Sequence, residues 1–302
     1  MPILLSDDIL FPPSYDFVFK AVLTHPNAKP ALMDLISACI NRTVVDVQIR
    51  NNELPVGDAN EKNERLDVNC VIDDGSQVNV EMQGTEITGP DNGYTGFINK
   101  TVYYLTDLHS SQKSKGVSYV DLVKTYQITF CMFDVFDHPE YITEASLRTN
   151  EGTPVSDQIN IQIIELNKMN DILQKPVDEM TPLEMWSAFL GYAGDPNKRG
   201  LINELLEKKE EIKVAGTVLA PITKDEHERA KLLSQRKFET DYYNHMISYK
   251  EYGIKEGIEQ GLEQGKFEER IIIAKNLKYS SFISIEQIAE VTGLSVSEIE
   301  EL

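Results

Sequence analysis

The chain is poor in several residue types, and each scarcity limits what it can be. Three cysteines, Cys39, Cys70 and Cys131, are scattered through 302 residues at no pair spacing. Neither a disulfide framework nor a zinc site is indicated, since the five histidines stand apart from the cysteines. Free, buried thiols in a reducing cytoplasm are the expectation. No apolar run approaches the length of a membrane span, and the opening MPILLSDDIL is too short and too acidic to read as a signal peptide. Basic residues are few: 29 Lys and Arg against 49 Asp and Glu leave a net charge of −20. Neutralising phosphates dominates nucleic-acid affinity, so such a balance argues against tight binding to DNA or RNA. The imbalance is uneven, however. Residues 1–125 carry 10 basic and 17 acidic side chains, and the larger part of the negative charge lies C-terminal to them. The length suits one substantial core with a smaller appendage.

The most informative stretch is Leu66 to Gln83, LDVNCVIDDGSQVNVEMQ. Two alternating runs flank Asp73-Asp74-Gly75, a turn signal in which Gly75 takes the left-handed conformation of a three-residue hairpin loop. That loop pairs Ile72 with Ser76 and sets Asp67 across from Glu81. A two-residue loop would mix polar and apolar side chains on both faces; the three-residue loop sorts them. One face then carries Leu66, Val68, Cys70, Ile72, Val78, Val80 and Met82. The other carries Asp67, Asn69, Val71, Gln77, Asn79, Glu81 and Gln83, with no Lys or Arg among them. Opposed carboxylates repel unless a cation lies between them, which points to a divalent metal. An ordinary solvated face of a half-exposed sheet fits the same alternation.

Further landmarks stand in order along the chain: Asp16-Phe17-Val18-Phe19-Lys20, then Lys62 and Arg65-Leu66-Asp67-Val68, then Glu81-Met82-Gln83, and finally Gly116 to Tyr119 followed by Lys124-Thr-Tyr-Gln-Ile-Thr-Phe. Together they resemble the recombination-promoting, transposase-like branch of the PD-(D/E)XK nucleases, over roughly residues 10 to 170. The resemblance implies an α/β fold of restriction-endonuclease type, with a central mixed sheet flanked by helices and a helical C-terminal extension. It implies a metal-dependent DNA endonuclease acting in recombination, mobile-element or defence contexts. Asp67, Glu81 and the Met82 main-chain carbonyl would hold Mg²⁺ or Mn²⁺, all hard oxygen ligands. Asp16 would contribute a third carboxylate. Gln83 stands where many relatives carry Lys; it can orient water but supplies neither base nor charge. Lys20, Lys62, Arg65 and Lys100 would face substrate, Lys100 replacing an Arg of the family and lacking its planar fork. DNA binding is expected to be weak, salt-sensitive and little dependent on sequence. The alternative is a nuclease-like fold of weak activity that serves as a binding or oligomerisation module.

The rest of the chain reads as three parts: a nuclease-like core over 10–175, a helical extension over 176–252 and a glycine-punctuated helical tail over 253–302. Helices are expected over 14–41, with a break before Pro30, over Tyr94 to Ser110, after Thr181-Pro182 and over Lys224 to Tyr252. Strands are expected over Val44 to Arg50, Tyr126 to Phe136, and in a hairpin of Ile142 to Arg148 with Gln158 to Leu166 around Glu151-Gly152. Residues 53–63 and Gly84 to Gly93 read as loops. Gly253, Gly257, Gly261 and Gly265 recur every four residues; glycine costs a helix about 1 kcal/mol each, so they mark either close helix contact or a loose hinge. Homo-oligomerisation through this region is expected. The end, from Ser284, reads as two short helices about Gly293, too acidic in the second to suit a major groove.

Overall fold

The computed structural model describes residues 10–50, 67–84, 94–112, 118–224, 226–280 and 282–302. The loop expected over 53–63 lies outside these, as does that over Gly84 to Gly93 apart from Gly84 itself, and so do Lys62 and Arg65. Two compact units divide the chain, Met1–Leu232 and Leu233–Leu302.

In the first unit, α1 (Asp16–Leu23) and α2 (Lys29–Ile40) precede β1 (Val47–Ile49) and the hairpin of β2 (Val68–Ile72) and β3 (Gln77–Gln83). Helix α1 starts at Asp16, with Tyr15 as its N-cap and no side-chain capping bond. Asn41, at φ 49°, closes α2 in the left-handed conformation that Asn tolerates. Helix α3 (Tyr94–Ser110) then leads to β4 (Thr125–Cys131), and β5 (Ile142–Arg148) pairs with β6 (Pro154–Glu165). The six strands form one mixed sheet in the order β1-β2-β3-β4-β6-β5. β4 runs parallel to both β3 and β6, and the other pairings are antiparallel.

β4 is shorter than its run of β-formers suggested. The Glu165 carboxylate accepts from the main-chain N–H groups of Val135 and Phe136, turning the chain away from the sheet just after the strand. Three helices follow: α4 (Pro182–Tyr192), with a Thr181–Glu184 capping box, α5 (Arg199–Lys208) and α6 (Glu210–Lys224). Trp186, Phe189 and Leu190 are fully buried, so their role is packing. The Trp186 indole also donates to Asp34 Oδ2 at 2.7 Å.

One sheet face carries Val68, Cys70, Val78, Val80, Met82, Ile128, Phe130 and Ile164 into the main core, against α1, α2 and the later helices. α3 lies on the other face, over β3, β4 and β6, with Phe97 packed against Cys131 and Ile163. That face is therefore closed to water as well. Asn79, Gln127 and Thr129 are at most 1% exposed, and the expectation of a half-solvated sheet does not hold there. All three cysteines are free and buried.

Helix α7 (Glu226–Tyr279), which begins in the first unit and makes up most of the second, runs unbroken through all four glycines, past the end expected at Tyr252. Glu, Gln and Lys of good helix propensity fill the intervals. Gln264 donates to Glu268 one turn on, at 3.0 Å. Among the described residues nothing within 4 Å would meet a Cβ at Gly253, Gly257, Gly261 or Gly265, so none of them makes a close helix contact there. The end of α7 packs Ala274 with Ile288 of α8 (Ile285–Thr292) and Ile299 of α9 (Val296–Glu301). Gly293, at φ 69°, makes the turn between the last two helices. Among the described residues no helix is long and apolar enough to cross a membrane.

Candidate active site

The hairpin has the register its alternation requires. Val68 pairs with Val80, Asn69 with Asn79, Cys70 with Val78 and Val71 with Gln77. The Ile72 N–H donates to Ser76 O at 3.0 Å and the Gly75 N–H to Ile72 O at 2.8 Å, with Gly75 at φ 86°. Continued by one residue, this register brings Asp67 opposite Glu81. Asp67 lies just before β2, and its Oδ2 accepts from the Met82 N–H at 3.1 Å. The side chain thus takes over from the strand where the main-chain ladder stops.

Asp16 reaches the same place from α1. Its Oδ1 accepts from the Gly84 N–H at 3.3 Å, directly beyond the end of β3. Gly84 permits this approach, because a Cβ there would stand 2.7 Å from Ser14 O. Lys100 enters from α3: its Nζ is 3.7 Å from Glu81 Oε2, donates to Gln83 Oε1 at 3.4 Å and lies 5.2 Å from the centre of the Tyr104 ring. Lys20 is half-buried one turn beyond Asp16 on α1. Five of the residues singled out in the sequence, Asp16, Asp67, Glu81, Gln83 and Lys100, therefore meet at one end of β3, beside the Met82 backbone.

Burial and mutual repulsion shape the electrostatics. Desolvation raises the pKa of Asp67, and the charges of Glu81 and Asp16 push it further up. Desolvation likewise raises Glu81, against the opposing influence of Lys100 and of a hydrogen bond from Asn79. Asp16 is raised by burial, with the Gly84 bond and Lys100 acting the other way. The Lys100 ammonium opposes these shifts at all three carboxyls. All the carboxylate and carbonyl donors are hard oxygens, a set that suits a divalent cation. Among the described residues no three His, Cys, Asp or Glu side chains meet closely enough to hold an ion alone. A bound cation would thus draw on a main-chain carbonyl and on water besides Asp67 and Glu81.

Residues 13–249 match the family described as PD-(D/E)XK nuclease family transposase. The chain belongs to that family. The mixed sheet with flanking helices is the α/β fold expected of a PD-(D/E)XK nuclease, and the family supports a nuclease-like, transposase-associated role with DNA as substrate. PD-(D/E)XK nucleases generally use divalent metals, in keeping with the oxygen-rich donor set described above. Comparison with curated proteins and with solved structures finds no match.

Sequence reasoning placed Asn79 on the polar face without giving it a part, and it passed over Gln127 and Thr129. Asn79 Nδ2 donates to Glu81 Oε1 at 2.8 Å and to Gln127 Oε1 at 2.9 Å. Gln127 Nε2 donates in turn to Thr129 Oγ1 at 3.2 Å. The alternation of Thr125, Gln127 and Thr129 within an otherwise apolar run was the available signal. It became legible only once the sheet order set β4 beside β3.

Proposed function

We propose that this PD-(D/E)XK nuclease hydrolyses phosphodiester bonds in DNA with Mg²⁺ or Mn²⁺ held by Asp67, Glu81 and the Met82 main-chain carbonyl. The observation that carries the reading is the meeting of Asp67, Glu81 and Asp16 at the end of β3, where burial and repulsion disfavour their charged forms. When bound, the ion would acidify a water and stabilise charge on the scissile phosphate. Gln83 then orients the attacking water, since an amide can both donate and accept. Lys100, held by Gln83 Oε1 and the Tyr104 ring, supplies positive charge toward the phosphate. Asp16 would contribute a third carboxylate through a water on the ion. Lys20, Lys62 and Arg65 contact the DNA backbone, and the acidic surface keeps that binding weak and salt-sensitive. Recombination, movement of a genetic element or defence would each use such an activity. Three free thiols suit a cytoplasmic setting.

Plasmid DNA incubated with the protein in Mg²⁺, Mn²⁺ or EDTA tests the proposal. Supercoiled DNA should be converted to open or linear forms with metal and remain intact with EDTA. Absence of cleavage with either metal would leave the binding-module reading as the better one.

One observation favours self-association alongside catalysis. Ile254, Ile258 and Leu262 stand on α7 at four-residue spacing, each more than half exposed, and each follows a glycine with open space around it. A second copy of the chain packed on this face would bury the stripe. Sedimentation of the full chain and of Ile258→Glu checks this, and equal masses would sink it.

A further inference from the structure

We propose that Asn79 is a positioning residue for Glu81, and that Gln127 holds Asn79 in turn, as a buried amide ladder across β3 and β4. The inference rests on the metal-dependent reading above. Asn79 is wholly buried, and its Nδ2 donates to both the Glu81 carboxylate and the Gln127 side chain. Both amide hydrogens are thereby used. Gln127 is the register partner of Asn79, and Thr129 is the partner of Glu81. The bond from Gln127 Nε2 to Thr129 Oγ1 extends this to a chain of four side chains over two levels of the sheet.

A purely structural part for this chain of bonds is a poor account of it. β3 and β4 are already paired over the whole of Gln77–Gln83, so the ladder is not needed to join them. The opposite face of the same strands does its packing with Val78, Val80, Met82, Ile128 and Phe130. Buried amides are costly unless fully paired, and Asn79 Oδ1 has no hydrogen-bond partner among the described residues. What the amide does provide is a neutral donor fixed on Glu81 Oε1. That bond sets the rotation of the carboxylate and leaves Oε2 as the oxygen beside Lys100. A neutral donor orients the carboxylate without adding to the positive charge that Lys100 already places beside Oε2. Removing partners that orient metal ligands typically weakens metal affinity by about ten- to a hundredfold.

The test is Mn²⁺ binding by titration calorimetry to the full, metal-stripped chain, with folding checked by urea denaturation. Glu81→Ala should abolish binding. Asn79→Ala should weaken it by about ten- to a hundredfold. The double variant Asn79→Leu/Gln127→Leu replaces the ladder by apolar groups of similar shape, which keeps the fold while removing both amides. It should lose Mn²⁺ affinity to the same extent with parental stability, a separation that a merely structural role would not produce. If Glu81→Ala loses Mn²⁺ while the double variant binds it like the parent, Asn79 does not position Glu81 and the metal reading stands. If Glu81→Ala itself binds like the parent, the metal reading falls, and the inference with it.

Discussion

Both faces of β3 are buried from Val78 to Gln83, and they differ in chemistry. Val78, Val80 and Met82 meet aliphatic and aromatic side chains, whereas Asn79, Glu81 and Gln83, alternating with them, meet amides, a lysine and two aspartates. On the first face burial stabilises, by roughly 25 cal/mol for each Å² of apolar surface removed from water. On the second, burial raises carboxylate pKa values and works against the charged forms that metal binding requires. One strand thus packs the core with one set of side chains and lines the candidate site with the other, at the expense of some stability. Such a division means that substitutions one residue apart should have opposite signatures.

The largest effect is expected on the chemical face. Asp67→Ala and Glu81→Ala should each reduce DNA cleavage by more than about a thousandfold, roughly 4 kcal/mol of barrier, while both variants still unfold cooperatively in urea. A variant that cleaves like the parent would break the comparison outright. On the packing face, Met82→Ala should lower unfolding free energy by about 2–5 kcal/mol, measured by the same denaturation. It keeps the main-chain carbonyl, so residual folded protein should retain cleavage. Lys100→Met leaves the stem of the side chain in place and removes its charge; cleavage should fall by about a hundredfold in a plasmid assay, with little change in stability.

The smallest effect separates the faces most sharply. A carboxyl whose folded pKa is raised binds protons more readily when folded, so its contribution to stability is fully present below the unfolded value, about pH 4. It is lost as pH rises through the raised folded values of Asp16, Asp67 and Glu81. Metal-free protein should therefore lose stability from about pH 5 to pH 8 from this cluster. Asp67→Asn should flatten part of that slope and be as stable as the parent, or about 1 kcal/mol more stable, at pH 8. The Asn side-chain oxygen can still accept from the Met82 N–H. Millimolar Mn²⁺ should raise the parent's melting temperature and leave Asp67→Asn unmoved, since a ligand stabilises only the state that binds it. Equal shifts in both proteins would show that the carboxylates are no metal site.

Local chemistry was enough to specify much of this molecule. Asp73-Asp74-Gly75 and strict alternation determined the hairpin register, because a slip of one residue would turn every side chain to the wrong face. Thr181-Pro182 with Glu184 determined the start of α4, and Ser284 and Ser295 those of α8 and α9, because capping uses atoms only three residues apart. The ordered landmarks Asp16, Asp67, Glu81 and Gln83 named the candidate site. Tertiary structure decided what spacing along the chain cannot express. Periodicity marks a face as polar but not as covered, so only the placement of α3 made the amides of Asn79 and Gln127 buried and brought Lys100 to Glu81. The parallel pairing of β4 with β3, two strands separated by a whole helix in sequence, set Gln127 beside Asn79. The unbroken course of α7 through its four glycines likewise ran against residue propensity, which is worth only about 1 kcal/mol per glycine and yields readily to context.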